Sequence, residues 1–368
     1  MKKYPLIAKA FVIGIILLFA GTTIIPTTAQ NFEKPSLPTS RGHWLYVGGS
    51  GLGNYSKIQD AINDSLDGDT LFVYDDSSPY YEHVIIDKSI TLVGEDRNTT
   101  IIDGTHGGPI FKIIVDYVSI RNLSIINSAN EGVLIINSSY SAIQSCIISY
   151  NNEGICNSQF SENNIISNNI LINNLYGILL FDNYFSTISE NILVNNSYAI
   201  QIDTYTRPIN TVGLSQEDTY ITVSNNHIAD SIIAVTINHT SLNLIKNNII
   251  ENNRWGVLFY GTYGMGCVNT LERNYIRNND LGIFMTCFLG GASGNKIYQN
   301  TFLGNKRNVR YALYENNSWD QNYWGRGRFM PYPIFGWKHL EKFVNLMIPW
   351  IDIDWHPSQK PYDIPRMS

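Results

Sequence analysis

The 368 residues suffice for one large domain or two ordinary ones, and only 15% of them are charged. The net charge is −6 at pH 7 without a basic patch, which argues against nucleic acid as a partner. Asn is abundant although it forms helices and strands poorly, a composition that is unusual for a globular α/β enzyme. Asn suits turns that recur on a fixed register.

Residues 1–29 are typical of a secretory signal peptide. Three Lys precede residue 10, Ala10–Ile25 is a nearly unbroken apolar run, and Thr27–Ala29 offers small residues for cleavage. We expect cleavage and an extracytoplasmic protein, secreted or at the cell surface. The alternative is an uncleaved segment, which would be the only membrane contact. N-x-S/T sequons fit this location, at Asn54, Asn63, Asn98, Asn122, Asn137, Asn195, Asn238 and Asn316.

A short helix is predicted over 56–67, after a polar lead-in at 30–54. Ser56 and Gln59 have the spacing of a capping box at the helix start, and Gly68 is the expected stop. A helix at this point would cover the open end of a stack of strands.

Short β-branched strands separated by Gly, Asp and Asn are predicted next. They are Thr70–Tyr74, Val84–Ile86, Ser89–Val93, Thr100–Ile102, Ile110–Ile114 and Val118–Ile120. From Ile120 a repeat begins, in which a small residue after an Asn pair marks each coil. The markers are Gly132, Gly154, Gly177, Ala199, Ala234, Gly256 and Gly282, with Asn308 in a last degenerate coil. Insertions around 205–218 and 263–266 lengthen two of the steps.

Two polar columns and one apolar column explain this period. Eight residues before the markers stand Cys146, Asn169, Asn191, Asn226, Asn248, Asn274 and Asn300, and three before stand Asn151, Asn174, Asn196, Ser231, Asn253, Asn279 and Asn305. In stacked coils about 4.8 Å apart their amides would hydrogen-bond as ladders. One and three residues after the markers lie apolar residues that alternate toward an interior: Val133/Ile135, Ile178/Leu180, Ile200/Ile202, Val235/Ile237, Val257/Phe259 and Ile283/Met285.

The pattern predicts an all-β fold, a single-chain right-handed parallel β-helix over 55–308. Residues 309–368 break the repeat and contain five of the seven Trp, namely Trp319, Trp324, Trp337, Trp350 and Trp355. We expect an irregular Trp-rich cap over the last coil, with a short helix at Phe335–Met347 ended by Pro349. The alternative is an aromatic platform for sugar or a protein partner.

Three stretches carry a family resemblance: Tyr55–Asn63 with Asp67–Thr70, Ser89–Glu95, and the Asn-Ile-Ile-x-Asn-Asn-x-x-Gly-Ile coils. They resemble secreted β-helix proteins of the NosD type, described as periplasmic copper-binding, and the related domain of carbohydrate-binding proteins and sugar hydrolases. The resemblance implies a pectin-lyase-like fold. Copper delivery is implied for NosD itself, but no metal motif of that family is identifiable here. The tail, with Asn322–Gly325 and Asp354–Pro357, resembles the end of such proteins from archaea.

One column pairs two carboxylates with aromatic side chains. Glu131 and Glu153 each precede a marker Gly in adjacent coils and should stack about 5 Å apart. That is the carboxylate separation of a retaining glycosidase, and like charges so close would raise one pKa. Tyr176, Tyr198 and Trp255 continue the column and could stack on sugar rings. The alternative is an ordinary solvent-facing turn position, where two Glu repel only mildly.

Sulfur residues offer a second candidate site. Met265, Cys267, Met285 and Cys287 lie in successive coils, and soft sulfur ligands suit Cu(I). Against this, Met285 is predicted to face inward, and a Cys267–Cys287 disulfide would remove both thiolates. Asp75, Asp76 and Asp103 with His106 are turn residues or weak cation ligands, such as for Ca²⁺. We expect no cofactor beyond these copper or calcium options.

The sequence therefore favours a secreted or cell-surface β-helix that binds polysaccharide or cell-envelope glycan without catalysis. A polysaccharide lyase or glycoside hydrolase is the first alternative, and NosD-like copper handling is the second.

Overall fold

The computed structural model describes residues 42–204, 219–262, 268–288, 292–312, 314–315, 317–339 and 347–363. The expected signal peptide and most of the lead-in lie outside the described residues. Within the described ranges, no helix has the length and apolar character needed to cross a membrane.

One helix and a long series of strands make up the described chain. The helix is α1 (Ile58–Asp64). The strands up to the 205–218 insertion are β1 (Trp44–Val47), β2 (Thr70–Val73), β3 (Val84–Ile86), β4 (Thr91–Gly94), β5 (Ile101–Asp103), β6 (Phe111–Ile113), β7 (Ser119–Arg121), β8 (Ser124–Ile126), β9 (Glu131–Ile136), β10 (Ala142–Gln144), β11 (Ile147–Ser149), β12 (Glu153–Ser158), β13 (Ile165–Ser167), β14 (Ile170–Ile172), β15 (Tyr176–Phe181), β16 (Thr187–Ser189), β17 (Ile192–Val194) and β18 (Tyr198–Asp203). After it come β19 (Thr222–Ser224), β20 (His227–Ala229), β21 (Ile233–Asn238), β22 (Leu244–Lys246), β23 (Ile249–Glu251), β24 (Trp255–Thr262), β25 (Thr270–Glu272), β26 (Tyr275–Arg277), β27 (Leu281–Phe288), β28 (Ala292–Ser293), β29 (Lys296–Tyr298), β30 (Thr301–Leu303), β31 (Arg307–Ala312), β32 (Tyr314–Glu315), β33 (Ser318–Asp320), β34 (Tyr323–Trp324), β35 (Tyr332–His339) and β36 (Met347–Asp354).

The strands build three long sheets, because each coil contributes one strand to each sheet in turn. Sheet A runs β1-β2-β4-β7-β10-β13-β16-β19-β22-β25-β29-β33, and sheet B runs β5-β8-β11-β14-β17-β20-β23-β26-β30-β34. Sheet C runs β3-β6-β9-β12-β15-β18-β21-β24-β27-β31-β35-β36 and has the longest strands. All pairs within them are parallel except β35–β36. The fold is the predicted right-handed parallel β-helix, a solenoid of about 11 turns.

The interior is filled by the predicted apolar pairs. Val133 and Ile135, Ile178 and Leu180, and their equivalents up to Ile283 and Met285 are fully or almost fully buried. Their strands pair in register, so each Ile or Val stacks on its equivalent in the next coil. A single coil cannot bury these side chains by itself, and stacking supplies the hydrophobic stabilisation.

Asn ladders run through the buried turns as predicted. In the column from Asn169 to Asn322, each Nδ2 donates to the Oδ1 of the next Asn at 2.9–3.1 Å. Each Oδ1 also accepts the backbone N–H of the preceding Asn. In the ladder that contains Asn174 and Asn196, Ser231 replaces one Asn. The Ser231 Oγ accepts the Asn196 N–H at 3.3 Å.

The two residues of each Asn pair have different tasks. In Asn173–Asn174, Asn173 has φ +59° and forms the turn, whereas Asn174 is buried in a ladder. The same division holds at Asn247–Asn248 and Asn252–Asn253. Asn adopts the left-handed region more readily than most residues, which explains why this chain needs so much of it. A further ladder, which the sequence reasoning missed, includes Asn243, Asn269, Asn295 and Asn317.

The small marker residues are explained by a close approach between coils. A Cβ placed on Gly177 would lie 2.6 Å from the carbonyl oxygen of Ala199, and one on Gly256 would lie 2.5 Å from that of Gly282. Ala is the largest residue that the middle of the stack contains at this position.

The predicted capping box at the N-terminal helix is wrong. α1 begins at Ile58 after the N-cap Lys57, and no side chain of the N-cap residue bonds to it. Instead, the Glu82 carboxylate accepts the N–H groups of Ile58 at 2.8 Å and Gln59 at 3.1 Å. A carboxylate at a helix N-terminus satisfies two free donors and favours the helix dipole.

The predicted helix at Phe335–Met347 is also wrong. Phe335–His339 belong to β35 and Met347 begins β36, and these two strands pair as an antiparallel hairpin. β-Branched and aromatic residues at Ile334–Trp337 and Ile348–Ile353 favour strands. The hairpin extends sheet C and covers the last coil, where Ile334 and Trp324 are buried.

Candidate functional site

The outward side chains of sheet C form one continuous surface, here called the outer face. Along β9 to β31 the strands pair in register, so that outward residues line up in columns. One column reads Glu131, Glu153, Tyr176, Tyr198, Ile233, Trp255, Leu281 and Arg307. The candidate carboxylates and aromatic residues therefore lie on one line along the solenoid.

The paired carboxylates lie at the N-terminal end of that line. Glu131 and Glu153 are directly opposite each other on β9 and β12. Burial raises the pKa of Glu131, and the charge of Glu153 raises it further. Cys156 lies beside them, and burial with the neighbouring Glu153 carboxylate raises the pKa of its thiol well above the ordinary value. The thiol stays protonated and is not a reactive nucleophile.

The two tyrosines of the column stack on each other. The rings of Tyr176 and Tyr198 have centroids 4.9 Å apart and planes 15° apart. Each ring covers one face of its neighbour, so the pair presents mainly ring edges and hydroxyl groups outward. Trp255 lies further along, with the Phe284 ring edge-on at 5.3 Å and the Arg254 guanidinium 5.8 Å away.

A polar cluster beside the tyrosines was not predicted from the sequence. Asp203 Oδ2 accepts from Asn238 Nδ2 at 3.1 Å and from Gln201 Nε2 at 3.2 Å. Asp203 Oδ1 lies 3.5 Å from Nδ1 of His239. The His239 ring also meets Tyr260 edge-on at 5.5 Å, and its buried Nε2 has no hydrogen-bond partner among the described residues.

The register of the repeat could have located this cluster. Asp203 and His239 lie four and five residues after the markers Ala199 and Ala234. His239 occupies a turn position with φ +52°, which Asn137 and Asp182 fill in other coils. Gln159 fills the same position in another coil with φ +54°, so a His among these polar turn residues is a signal that a search for isolated His residues cannot detect.

The proposed sulfur site is not assembled from described side chains. Met285 lies fully buried in the core, as predicted from its inward position. Met265, Cys267 and the side chain of Cys287 lie outside the described residues, and so does the possible Cys267–Cys287 disulfide. Within the described ranges, no three His, Cys, Asp or Glu side chains converge on one point. The sulfur site therefore stays a prediction.

The other acidic candidates have hydrogen-bonding roles in turns. Asp75 accepts from the Thr99 hydroxyl at 2.6 Å, and Asp76 accepts the Gly49 N–H at 2.9 Å. Asp103 accepts from the Thr105 N–H at 2.8 Å and from Asn127 at 3.0 Å. Each of these carboxylates has structural donors that account for its presence.

Comparison with known families agrees with this architecture. A family described as "Right handed beta helix region" matches residues 53–213, and "Periplasmic copper-binding protein (NosD)" matches residues 206–327. The two matches together span most of the solenoid. The chain therefore contains a right-handed β-helix, of which residues 206–327 match the NosD family. No curated protein is significantly similar to it in sequence.

Solved structures share the fold at low sequence identity. The A-module of mannuronan C-5 epimerase AlgE4 from Azotobacter vinelandii is 13% identical with a TM-score of 0.50, covering 72% of this chain and 91% of that one. The structure of XylC in complex with xylose is 11% identical with a TM-score of 0.51, covering 82% and 76%. Pectate lyase Pel9A is 13% identical with a TM-score of 0.48, covering 77% and 80%. At such identities the AlgE4 A-module and XylC show a shared fold and nothing more.

Proposed function

We propose that this protein is an extracytoplasmic binding module that holds a polysaccharide or cell-envelope glycan against its outer face without cleaving it. The observation that carries the proposal is the straight column of Glu131, Glu153, Tyr176 and Tyr198 on four consecutive strands. Strands about 4.8 Å apart repeat hydroxyl and carboxylate groups along a rigid line. An extended glycan presents hydroxyl groups along a line of its own.

The chemistry of the column suits hydrogen bonding to sugar hydroxyls. Carboxylate oxygens accept, and phenol hydroxyls both donate and accept. Because Tyr176 and Tyr198 already cover each other, we assign them a role through their edges and hydroxyls rather than through ring stacking. The Asn ladders already hold these strands in place, so the protein would lose little conformational entropy when it binds a glycan.

Two further findings support this proposal. A structural neighbour is a mannuronan epimerase and another was solved with xylose, so the fold accommodates saccharides. The matched NosD family is described as periplasmic, which fits the expected signal peptide and an extracytoplasmic location.

A glycan panel with purified protein tests the proposal. Tyr176→Ser and Tyr198→Ser should each weaken binding about tenfold, which corresponds to about 1.4 kcal/mol. Tyr150→Ser is the matched control, because Tyr150 is exposed in a turn after sheet B. An equal loss of glycan affinity in all three variants would contradict the proposal, and so would a wild type that binds no glycan.

A polysaccharide lyase or glycoside hydrolase is the second candidate. The observation that favours it is the raised pKa of Glu131, which lies directly opposite Glu153. A carboxyl group with a raised pKa can serve as a general acid or base. Turnover by the wild type that is lost in Glu131→Gln and Glu153→Gln would establish catalysis in place of simple binding.

A further inference from the structure

The outer face ends in a cleft beside the C-terminal hairpin. Among the described residues, β31 and β35 pair at two positions, Tyr311 with Gly336 and Ala312 with Trp337. Before these positions the strands diverge, and a cavity of about 690 Å³ opens between them. A cleft of this volume is in the usual range for small-molecule sites.

One wall of the cleft is aromatic. Pro333, Phe335 and Trp337 lie on one face of the hairpin, because side chains alternate along a strand. Their cross-strand partners Ile353, Ile351 and Pro349 are also apolar. Phe335 is 65% exposed and Trp337 is 45% exposed. Since Trp337 pairs with Ala312, this wall continues the outer face.

The opposite wall is cationic. Lys306, Arg307 and Arg310 line the cleft, and no Asp or Glu is found among its described lining residues. This is a local excess of positive charge in a chain whose net charge is −6. Lys306 Nζ is neutralised by Asp280 Oδ1 at 2.6 Å.

Both arginines are available to a ligand. Arg307 and Arg310 are exposed, and neither forms an ion pair within the described part of the chain. The Arg310 guanidinium lies 5.4 Å from the Phe284 ring, which orients it on the outer face. Two guanidinium groups on one strand can each form paired hydrogen bonds with a planar carboxylate.

We propose that this cleft is a binding site for the carboxylate-bearing sugars of an anionic glycan. Arg307 and Arg310 bind the carboxylates, and Phe335 and Trp337 pack against the apolar faces of the sugar rings. This inference rests on the proposed function and names its ligand class. An anionic chain is favoured over a neutral one because Arg307 and Arg310 have no acidic partner among the described residues. It is favoured over a peptide because the cleft continues the line proposed for a glycan.

Calorimetric titration with two matched probes tests the inference. Tetragalacturonate carries carboxylates, and its fully methyl-esterified form has the same sugars without charge. The wild type should bind the acid at least tenfold more tightly than the ester, and added NaCl should reduce that preference. Arg307→Gln and Arg310→Gln should each lower affinity for the acid about tenfold and leave the ester unchanged. Arg121→Gln, an exposed Arg on sheet A, is the matched control.

The outcomes separate this inference from the function on which it rests. Equal binding of acid and ester by the wild type, with no effect of either Arg variant, would overturn the anionic site while the glycan-binding function stands. Binding of neither probe here or of any glycan on the panel would overturn both. A loss of acid binding in Arg121→Gln equal to that in Arg310→Gln would show nonspecific charge attraction and would also overturn the site. Unchanged thermal unfolding of the variants shows that each is folded.

Discussion

Asp354 closes the Asn ladder by accepting from Asn322, whose backbone N–H and Nδ2 both donate to its Oδ2 at 3.0 and 3.2 Å. The Trp324 indole N–H donates to the same oxygen at 2.9 Å, and Asp354 is fully buried. A carboxylate is acceptor-only and therefore matches the donors that the last Asn would otherwise leave unpaired. The C-terminal tail thus supplies the acceptor that ends the Asn ladder, which the repeat itself does not provide.

Replacing this stop should destabilise the end of the solenoid. We expect Asp354→Ala to lower the free energy of unfolding by about 3–5 kcal/mol, because three buried donors and the His356 N–H lose their acceptor. Asp354→Asn keeps one acceptor oxygen and should cost less, about 1–2 kcal/mol. Amide hydrogen exchange is the measurement, since a solenoid opens from its ends and faster exchange should appear first in β33 and β34.

Asp320→Ala is the control for that experiment. Its carboxylate pairs with His356 at 2.9 Å, but both side chains are substantially exposed. An exposed pair contributes about 0–1 kcal/mol. A cost for Asp320→Ala that equals the cost for Asp354→Ala would contradict the assigned role of Asp354.

The middle of the ladder should tolerate Ser better than Ala. Asn248 donates to Asn274 Oδ1 and to the Val223 carbonyl, both at 2.9 Å, and accepts the Asn226 N–H. Asn248→Ala removes these hydrogen bonds and should lower the free energy of unfolding by about 3–5 kcal/mol. Asn248→Ser should cost measurably less, because Ser231 already shows that a hydroxyl can accept the N–H from the coil below. Urea unfolding compares the two variants, and equal costs would argue against the hydrogen-bond account.

The helix start offers a direct test of which residue caps it. Glu82→Ala should lower the free energy of unfolding by about 1–2 kcal/mol, since Ile58 and Gln59 lose their acceptor. Ser56→Ala should change it by less than about 0.3 kcal/mol, because its hydroxyl forms no bond to the helix. The reverse ranking in thermal unfolding would restore the capping box that the sequence suggested.

The paired carboxylates predict a specific pH dependence. Burial and then the Glu153 charge raise the pKa of Glu131 in the folded protein, so the folded state binds its proton more tightly than the unfolded chain. The resulting destabilisation is absent below the unfolded-state pKa and grows as pH rises through the folded-state pKa. Glu131→Gln should therefore raise stability at pH 7, by about 0.5 kcal/mol, and have little effect near pH 3. Glu190→Gln, at an exposed turn, is the control, and a gain at pH 3 equal to that at pH 7 would contradict this assignment.

The repeat explains why so much of the fold could be read from the sequence. Every coil must place an amide, a small residue and two apolar residues at equivalent positions. The equivalents of Asn174, Gly177, Ile178 and Leu180 therefore recur in the sequence at a visible period. The errors lie where the repeat ends. Glu82 caps a helix that begins 24 residues earlier, at Ile58, and only the folded chain brings them together. Likewise, the spacing of apolar residues in 335–347 did not distinguish a helix from one strand of a hairpin.

The candidate site was predictable only where it followed the same periodicity. Glu131, Glu153, Tyr176 and Tyr198 share a register position and therefore a column. Asp203 ends β18 and His239 follows β21, on either side of the 205–218 insertion, and their 3.5 Å approach depends on the stacking across it. The cleft at Arg307 and Arg310 depends on the hairpin, which the sequence did not reveal.

The most direct test of the central claim measures binding and cleavage in one sample. The purified protein is incubated with a polysaccharide that it retains on the glycan panel, the complex is sedimented, and the supernatant is assayed for new reducing ends and unsaturated products. The account predicts saturable co-sedimentation that Tyr198→Ser weakens about tenfold, with no product above the protein-free control. Product that accumulates over many turnovers, or a polysaccharide that remains fully in the supernatant, would contradict it.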